Sequence, residues 1–400
     1  MTAGKERAGH ALLMTVSLAL GLAGACSSDP TTGGGRFGMG LAGTGGYGGS
    51  GGTGGAGSLG GGLAGADNPD PNNGLPVGGM GGAGGDEACA GVMITASRIL
   101  PTVMLVVDGS TSMEMPYGAL PLDDAGMPDP TAPQPPSRWS SVRDALVGAD
   151  GVVPKLQGLV SFGLAVFGTQ ATCPLPLGTI NPSLNNAMPI TSGLPVAPPG
   201  LFTPTGVALD QIVDILPDPT LVLDGNPIGP QIILLATDGD PNACDGGGFL
   251  PVTDYVPSIN AALKAQAKHL KMYVISVGQD AAAAHLQEMA NIGANQDRAT
   301  GTAEVYYPED TATLTSTLET LIGAELSCDL TLMGKGVKEG LECTGEVTFN
   351  GVPLECNGPD GFELKDSFTL SLKGATCETY KNSVDSSVRA NFPCEAIVVE

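Results

Sequence analysis

Asp108, Gly109, Ser110, Thr111 and Ser112 place a carboxylate and two hydroxyls at alternate positions of one short stretch. Oxygen side chains at i, i+2 and i+4 off the end of a strand can converge on one point, and Gly109 permits the sharp backbone bend this requires. Hard divalent cations take oxygen ligands, and Mg²⁺ in particular accepts one or two carboxylates with waters or neutral oxygens filling the octahedron. The chemistry open to this stretch is therefore cation binding. The usual nucleophile and hydride chemistries have no visible home: the chain has no H-E-x-x-H, G-x-S-x-G or P-loop pattern. Of its three histidines, His10 lies in a segment expected to be removed, and His269 and His285 are expected on helix surfaces, without Cys or His at ligand spacing.

The element that must hold the stretch is the apolar run before it, residues 103–107, read as a strand covered on both faces in a parallel sheet. The pattern D-x-S-x-S resembles the signature of the von Willebrand factor type A domain, where it opens a metal ion-dependent adhesion site (MIDAS). That family adds a Thr from a later loop and an Asp at the end of a later strand. Residues 200–206, GLFTPTG, resemble its Thr-x-Thr turn before a helix, and residues 234–239, LLATDG, its strand ending in Asp. The resemblance implies a metal site of Asp108, Ser110, Ser112, Thr203 and Asp238. It implies Mg²⁺ as the ion, with Mn²⁺ or Ca²⁺ as alternatives, and one position open to an Asp or Glu carboxylate of a protein ligand. Thr203 could instead cap the helix that follows, which leaves Thr205 as the reserve ligand.

Further strands are expected at residues 161–168, 231–238, 271–278 and 303–307, helices at 138–159, 256–270, 282–292 and 310–326, and a loop and helix over 203–216. Their alternation predicts an α/β fold with a doubly wound, mostly parallel sheet, of von Willebrand factor A or Rossmann-like type. Ligands of such sheets bind beyond the carboxyl ends of the strands, where strand order reverses. Asp108 and Asp238 each end a strand, so the topology would make neighbours of them. Residues 116–137, rich in proline, read as a loop inserted at the metal-bearing end, which either lines the site or is neutral decoration.

The rest of the chain divides around this unit. Residues 1–25 combine Lys5 and Arg7 with a short apolar core and a small-residue cut site, the pattern of a secretory signal. Cys26 directly after it resembles the lipidated N-terminus of a bacterial lipoprotein; an ordinary signal cut after Ala25 is the alternative. Residues 26–85 form a tether: 26 of the 53 residues from 33 to 85 are glycine, and such a segment cannot build a core. Residues 86–327 hold the metal-site domain. Residues 328–400, with alternating runs near 346–349, 367–372 and 388–392, suggest a small disulfide-rich β unit. This tail resembles the ends of type A-domain lipoproteins of myxobacteria-like bacteria.

With Cys26 set aside, eight cysteines remain, enough for four disulfides in an oxidising compartment. Some members of the resembled family join the ends of the domain, which implies Cys89 with Cys328. Cys173 and Cys244 both fall at the metal end and either bridge each other or pair into the tail. The simplest remaining pairs are Cys343 with Cys356 and Cys377 with Cys394.

A net charge of −24 makes nucleic acid a poor partner, because binding phosphates needs clustered Lys and Arg. The expected function is non-enzymatic: a lipid-anchored protein of the cell envelope, with an outer-membrane location favoured, that binds a partner protein through the metal. A metal-assisted hydrolase at the same site would need a general base, for which Glu114, Asp240 or an acid of residues 116–137 are the candidates. A structural envelope subunit is the third class.

Overall fold

The computed structural model describes residues 91–168, 177–223, 226–242, 253–278 and 280–399. Cys26, Cys89, Cys173 and Cys244, the signal and the tether lie outside these residues.

One sheet has five strands: β2 (Thr102–Asp108), β3 (Ser161–Phe167), β4 (Thr179–Ser183), β7 (Gln231–Thr237) and β8 (Lys271–Ser276), in spatial order β4-β3-β2-β7-β8. β3, β2, β7 and β8 run parallel, and β4 closes one edge antiparallel to β3. This is the α/β, doubly wound, mostly parallel arrangement read from the sequence. Strand order reverses between β2 and β7, at the topological switch point of such a sheet.

The period of two along a strand sends alternate side chains to opposite faces. Val103, Leu105 and Val107 of β2 therefore join one core, under α1 (Arg138–Val147), α2 (Val152–Leu156), α3 (Ala187–Gly193) and α7 (Thr311–Ala324). Met104 and Val106 join the other, under α4 (Thr205–Ile215), α5 (Val256–Ala267) and α6 (Ala283–Gly293). A strand buried on both sides leaves no polar alternation, which is why residues 103–107 read as a continuous apolar run. Between β4 and β7 a small ribbon pairs β5 (Val222–Leu223) with β6 (Asn226–Pro227).

Several elements differ from the sequence expectation. The helix expected over 138–159 is two helices, because the chain turns between Gly148 and Gly151; a side chain on Gly151 would meet the Leu146 carbonyl oxygen at 2.7 Å. The strand expected at 303–307 is a single parallel bridge between Tyr306 and Ile275. β4 was not expected; it contains Pro182, which only an edge strand tolerates. His285, expected on a surface, is buried with its Nε2 3.2 Å from Ser258 Oγ. Residues 116–137 form a pinned excursion: Tyr117 N–H donates to Pro136 O, Arg138 N–H donates to Met115 O, and the buried Tyr117 donates its hydroxyl to Pro308 O.

The second sheet has seven strands in the order β12-β11-β15-β1-β9-β14-β13. These are β1 (Val92–Arg98), β9 (Asp329–Leu332), β11 (Glu346–Phe349), β12 (Val352–Pro353), β13 (Phe362–Asp366), β14 (Thr369–Leu372) and β15 (Val388–Phe392). A separate pair joins β10 (Lys335–Val337) to β16 (Ile397–Val399). Residues 92–98, assigned from sequence to the metal-site segment, thus lie between β15 and β9 of the tail, and the α/β unit is inserted between two adjacent strands of this sheet. One helix, α8 (Gly374–Lys381), follows β14.

α8 also corrects the disulfides. β14 pairs with β9, so the chain leaving β14 passes beside Cys328, and Leu372 N–H donates to Cys328 O. Cys377, in α8, then bonds Cys328, while Cys343 bonds Cys356 as expected. The pairings Cys89 with Cys328 and Cys377 with Cys394 do not occur. Cys394 is disulfide-bonded to a partner outside the described residues. No helix among the described residues is long and apolar enough to cross a membrane.

Candidate metal centre

β2 delivers Asp108 to the switch point as its last residue. Gly109 follows in a space that no side chain could share: a Cβ there would lie 2.7 Å from Pro199 Cδ and 2.9 Å from Val166 Cγ1. Its N–H donates to Phe167 O at 2.6 Å, and its carbonyl accepts from Gly200 N at 2.8 Å. The glycine therefore draws the end of β3 and the loop at residues 199–200 against the end of β2. The chain then enters a 3-10 turn over Thr111–Glu114, which puts Ser110 and Ser112 side by side, their Oγ atoms 2.9 Å apart.

β7 delivers the second carboxylate one residue beyond its end. Thr237, the last strand residue, donates its hydroxyl to Asp108 Oδ2 at 2.7 Å, which ties the two strand ends together. Asp108 Oδ1 accepts from Ser110 N at 2.9 Å. Asp238 Oδ1 accepts from Ser112 Oγ at 2.8 Å. A hydrogen-bonded chain thus runs from Ser110 through Ser112 to Asp238, the last two being 126 positions apart. Asp108 and Asp238 are fully buried.

Thr203 arrives on the loop before α4. Its backbone is clamped to Asn242, N–H to Oδ1 at 2.9 Å and carbonyl to Asn242 N at 2.8 Å. A Cβ on Gly239 would stand 3.9 Å from Ser112 Oγ and 4.0 Å from Thr203 Oγ1, so the two hydroxyls flank this glycine. Thr205 is different: it begins α4, is buried, and its hydroxyl turns back to Thr203 O at 3.5 Å. The structure therefore brings together Asp108, Ser110, Ser112, Thr203 and Asp238, and leaves Thr205 in the helix start.

One residue of the centre was missed in the sequence. Arg138, the first residue of α1, is buried to 8 % exposure and donates from Nη1 to Asp238 Oδ2 at 2.8 Å. Its Nη2 pairs with Asp280 Oδ2 at 2.6 Å. It also lines a cavity of about 390 Å³ with Tyr117, Asp280, Tyr307 and Glu309. The only sequence signal was a cation at a helix start, where the helix dipole disfavours it.

Burial pushes the Asp108 carboxyl up to about 7, and the charge of Asp238 adds to the shift; the bonds from Thr237 and Ser110 oppose it. Asp238 is raised by burial as well, with Arg138 and Ser112 pulling the other way. Burial works against the charge of Arg138, but its bonds to Asp238 and Asp280 more than offset this and hold it protonated. Two buried carboxylates that repel each other, with Arg138 the one buried cation among the described residues, form a centre short of positive charge. A divalent cation would reverse both carboxylate shifts.

The donor set fits such an ion: two carboxylates and three hydroxyls, all oxygen, suit Mg²⁺, Mn²⁺ or Ca²⁺ and lack the nitrogen or sulfur that zinc sites favour. Among the described residues no three His, Cys, Asp or Glu side chains are placed to share an ion, so hydroxyls must complete any site here. Asp240, adjacent in sequence, is engaged elsewhere: its two oxygens accept from Ala282 N at 2.7 Å and Tyr255 Oη at 2.9 Å. Glu114 is exposed.

No protein-family model matches the chain, and no curated protein matches it. Solved structures do. The open conformation of the pilus adhesin SpaC from Lactobacillus rhamnosus GG aligns over 76 % of this chain at 12 % identity with a TM-score of 0.41, and the chain spans 40 % of that protein. Proximal thread matrix protein 1 from the mussel byssus, with a zinc-occupied MIDAS motif, aligns over 63 % of this chain and 52 % of its own at 16 % identity and a TM-score of 0.36. Manganese-loaded TRAP protein of Plasmodium vivax aligns over 58 % of this chain and 78 % of its own, at 16 % identity and a TM-score of 0.33. These scores are all below 0.5, and the case for function rests on the geometry of the centre itself.

Proposed function

We propose that this chain binds a divalent cation at Asp108, Ser110, Ser112, Thr203 and Asp238 and, through it, a carboxylate of a partner protein. The observation that carries the reading is the meeting of five oxygen-bearing side chains, from three segments far apart in sequence, at the switch point of the sheet. The ion would supply an electrophilic position for an external acid. Ser110, Ser112 and Thr203 offer neutral oxygens, which leave more of the ion's charge available than carboxylates would. Asp108 and Asp238 provide the negative charge that attracts the ion, and their bonds to Thr237, Ser112 and Arg138 fix their orientation.

In this reading Mg²⁺ is the native ion, with Mn²⁺ or Ca²⁺ able to replace it. The chain is anchored in the cell envelope by lipid on Cys26, held clear of the membrane by the glycine-rich tether, and has no catalytic role. The hydrolytic alternative loses one of its candidate bases, because both oxygens of Asp240 are occupied by Ala282 and Tyr255.

The test is affinity capture of envelope proteins on the full chain, with and without EDTA, alongside Asp108→Ala. The reading predicts a captured partner that is lost with chelator and with the variant, while circular dichroism of the variant stays native. A partner retained under both conditions contradicts it. Turnover of a phosphate ester or peptide dependent on Mg²⁺ would favour the hydrolase instead.

A further inference from the structure

We propose that Arg138 sets the division of labour at the metal centre, weakening its hold on the cation in order to strengthen the cation's hold on an incoming carboxylate. The inference rests on the cation-and-carboxylate reading above.

The guanidinium is built into the centre. Its wall is Gly278, at φ +154°, where a Cβ would lie 2.7 Å from Arg138 Cζ, so a glycine is needed for the side chain to lie there. Nη1 and Nη2 each meet a carboxylate, Asp238 and Asp280, while Nε is buried and finds no hydrogen-bond partner among the described residues. A cation in the first turn of α1 opposes the helix dipole, and that turn has no acidic residue to compensate. The helix gains nothing electrostatically from Arg138; the carboxylates of two other segments keep it in place.

The charges decide the consequence. Asp108 and Asp238 alone would cancel a bound divalent ion, leaving an external carboxylate little net attraction. With Arg138 on Asp238 the centre keeps an excess of positive charge once the ion is bound. Asp280 offsets this only in part, since its side chain is 62 % exposed and screened by water. The same positive charge repels the ion itself. Arg138 is thus a positioning residue that acts through Asp238, and its effects on the two ligands have opposite signs.

The experiment uses the full chain with Mn²⁺ as the ion and acetate as the carboxylate. Mn²⁺ affinity is read by titration calorimetry, and acetate affinity by broadening of its methyl proton resonance by bound Mn²⁺. Arg138→Gln should bind Mn²⁺ more tightly by at least about tenfold, the least that a unit charge several ångströms from a divalent ion implies at a water-like dielectric of about 80, and acetate several-fold more weakly. Arg138→Lys, which keeps the charge, should restore both toward wild type. Asp280→Asn, a change at an exposed position, should move both in the reverse sense and decides the matter if Arg138→Gln does not fold.

Both affinities falling together in Arg138→Gln, without rescue by Lys, would make Arg138 a mere strut and overturn the inference. So would unchanged affinities in Arg138→Gln and Asp280→Asn while the wild type binds Mn²⁺, a result that leaves the site reading intact. Failure of the wild type to bind Mn²⁺ overturns both.

Discussion

The metal end of the first sheet and the interior of the second are built on opposite principles. At the first, Asp108, Ser110, Asp238 and Arg138 are buried together, and two of them repel. In the second, the interior is apolar, with Ile94, Phe362, Tyr380 and Phe392 at its centre, and the Cys328–Cys377 and Cys343–Cys356 bonds cross-link it. Its half-buried Arg98 is satisfied locally: the guanidinium lies 3.7 Å over the Tyr380 ring and donates to Tyr380 O and Ser383 O at the end of α8. The difference separates a region that keeps unbalanced charge from one whose Arg98 is locally paired and whose stability comes from packing and covalent links.

The largest effect should come from the cross-links. Replacing Cys328 and Cys377 together by Ser opens a loop of 49 residues and should cost about 4 kcal/mol of stability in urea unfolding, against about 3 kcal/mol for the 13-residue loop of Cys343 and Cys356. Mn²⁺ affinity should hardly change in either pair while the chain is folded. Loss of ion binding in step with the disulfides would erase the contrast between the regions.

Next in size is the charge at the other end. Asp108→Asn preserves side-chain volume but removes one of the two repelling charges. It should weaken Mn²⁺ binding by about 100-fold, equivalent to about 2.7 kcal/mol, and raise the melting temperature of the metal-free protein. A variant that melts lower and still binds Mn²⁺ normally would mean the centre carries no strain.

The pH dependence follows from the same shifts. Asp108 and Asp238 have folded pKa values above the unfolded carboxylate value, so folding favours their protonated forms. The Asp108 contribution to stability is full below about pH 4 and is lost as pH rises through about 7, and that of Asp238 is lost in the same direction. Buried His285 runs the other way: its pKa is lowered by burial, so stability falls as pH drops below about 6.5. Subtracting the Asp108→Asn profile from the wild type isolates the carboxylate part, which should decline between pH 4 and 7 and recover when Mg²⁺ is added. A flat difference would remove the electrostatic account.

The smallest contrast concerns the two threonines. Thr203→Val should weaken Mn²⁺ binding by roughly tenfold, the loss expected of one neutral ligand. Thr205→Val should change it less than about twofold, since that hydroxyl turns to the backbone of its own helix start. The reverse ranking would move the ligand to Thr205.

What was legible in the sequence follows from where the physics is local. Residues 103–107 and 232–236 are apolar because both faces of β2 and β7 are covered, and each run ends at a carboxylate because the sheet stops there. Those two patterns locate most of the centre. Arg138 was hidden because its role depends on α1 beginning next to the turn after β8, a relation that no local spacing encodes. Residues 92–98 were not read as a strand, and the insertion of the α/β unit between β1 and β9 separates β1 from its partner β9 by more than two hundred residues. α8 is a short helix of weak pattern, and missing it misassigned Cys328 and Cys377.

Crystals of the full chain soaked in Mn²⁺ and measured at the manganese absorption edge test the central claim most directly. One anomalous peak is expected, among Ser110, Ser112, Thr203, Asp108 and Asp238 and absent from Asp108→Asn crystals. No peak there, or a peak that persists in the variant, would contradict it.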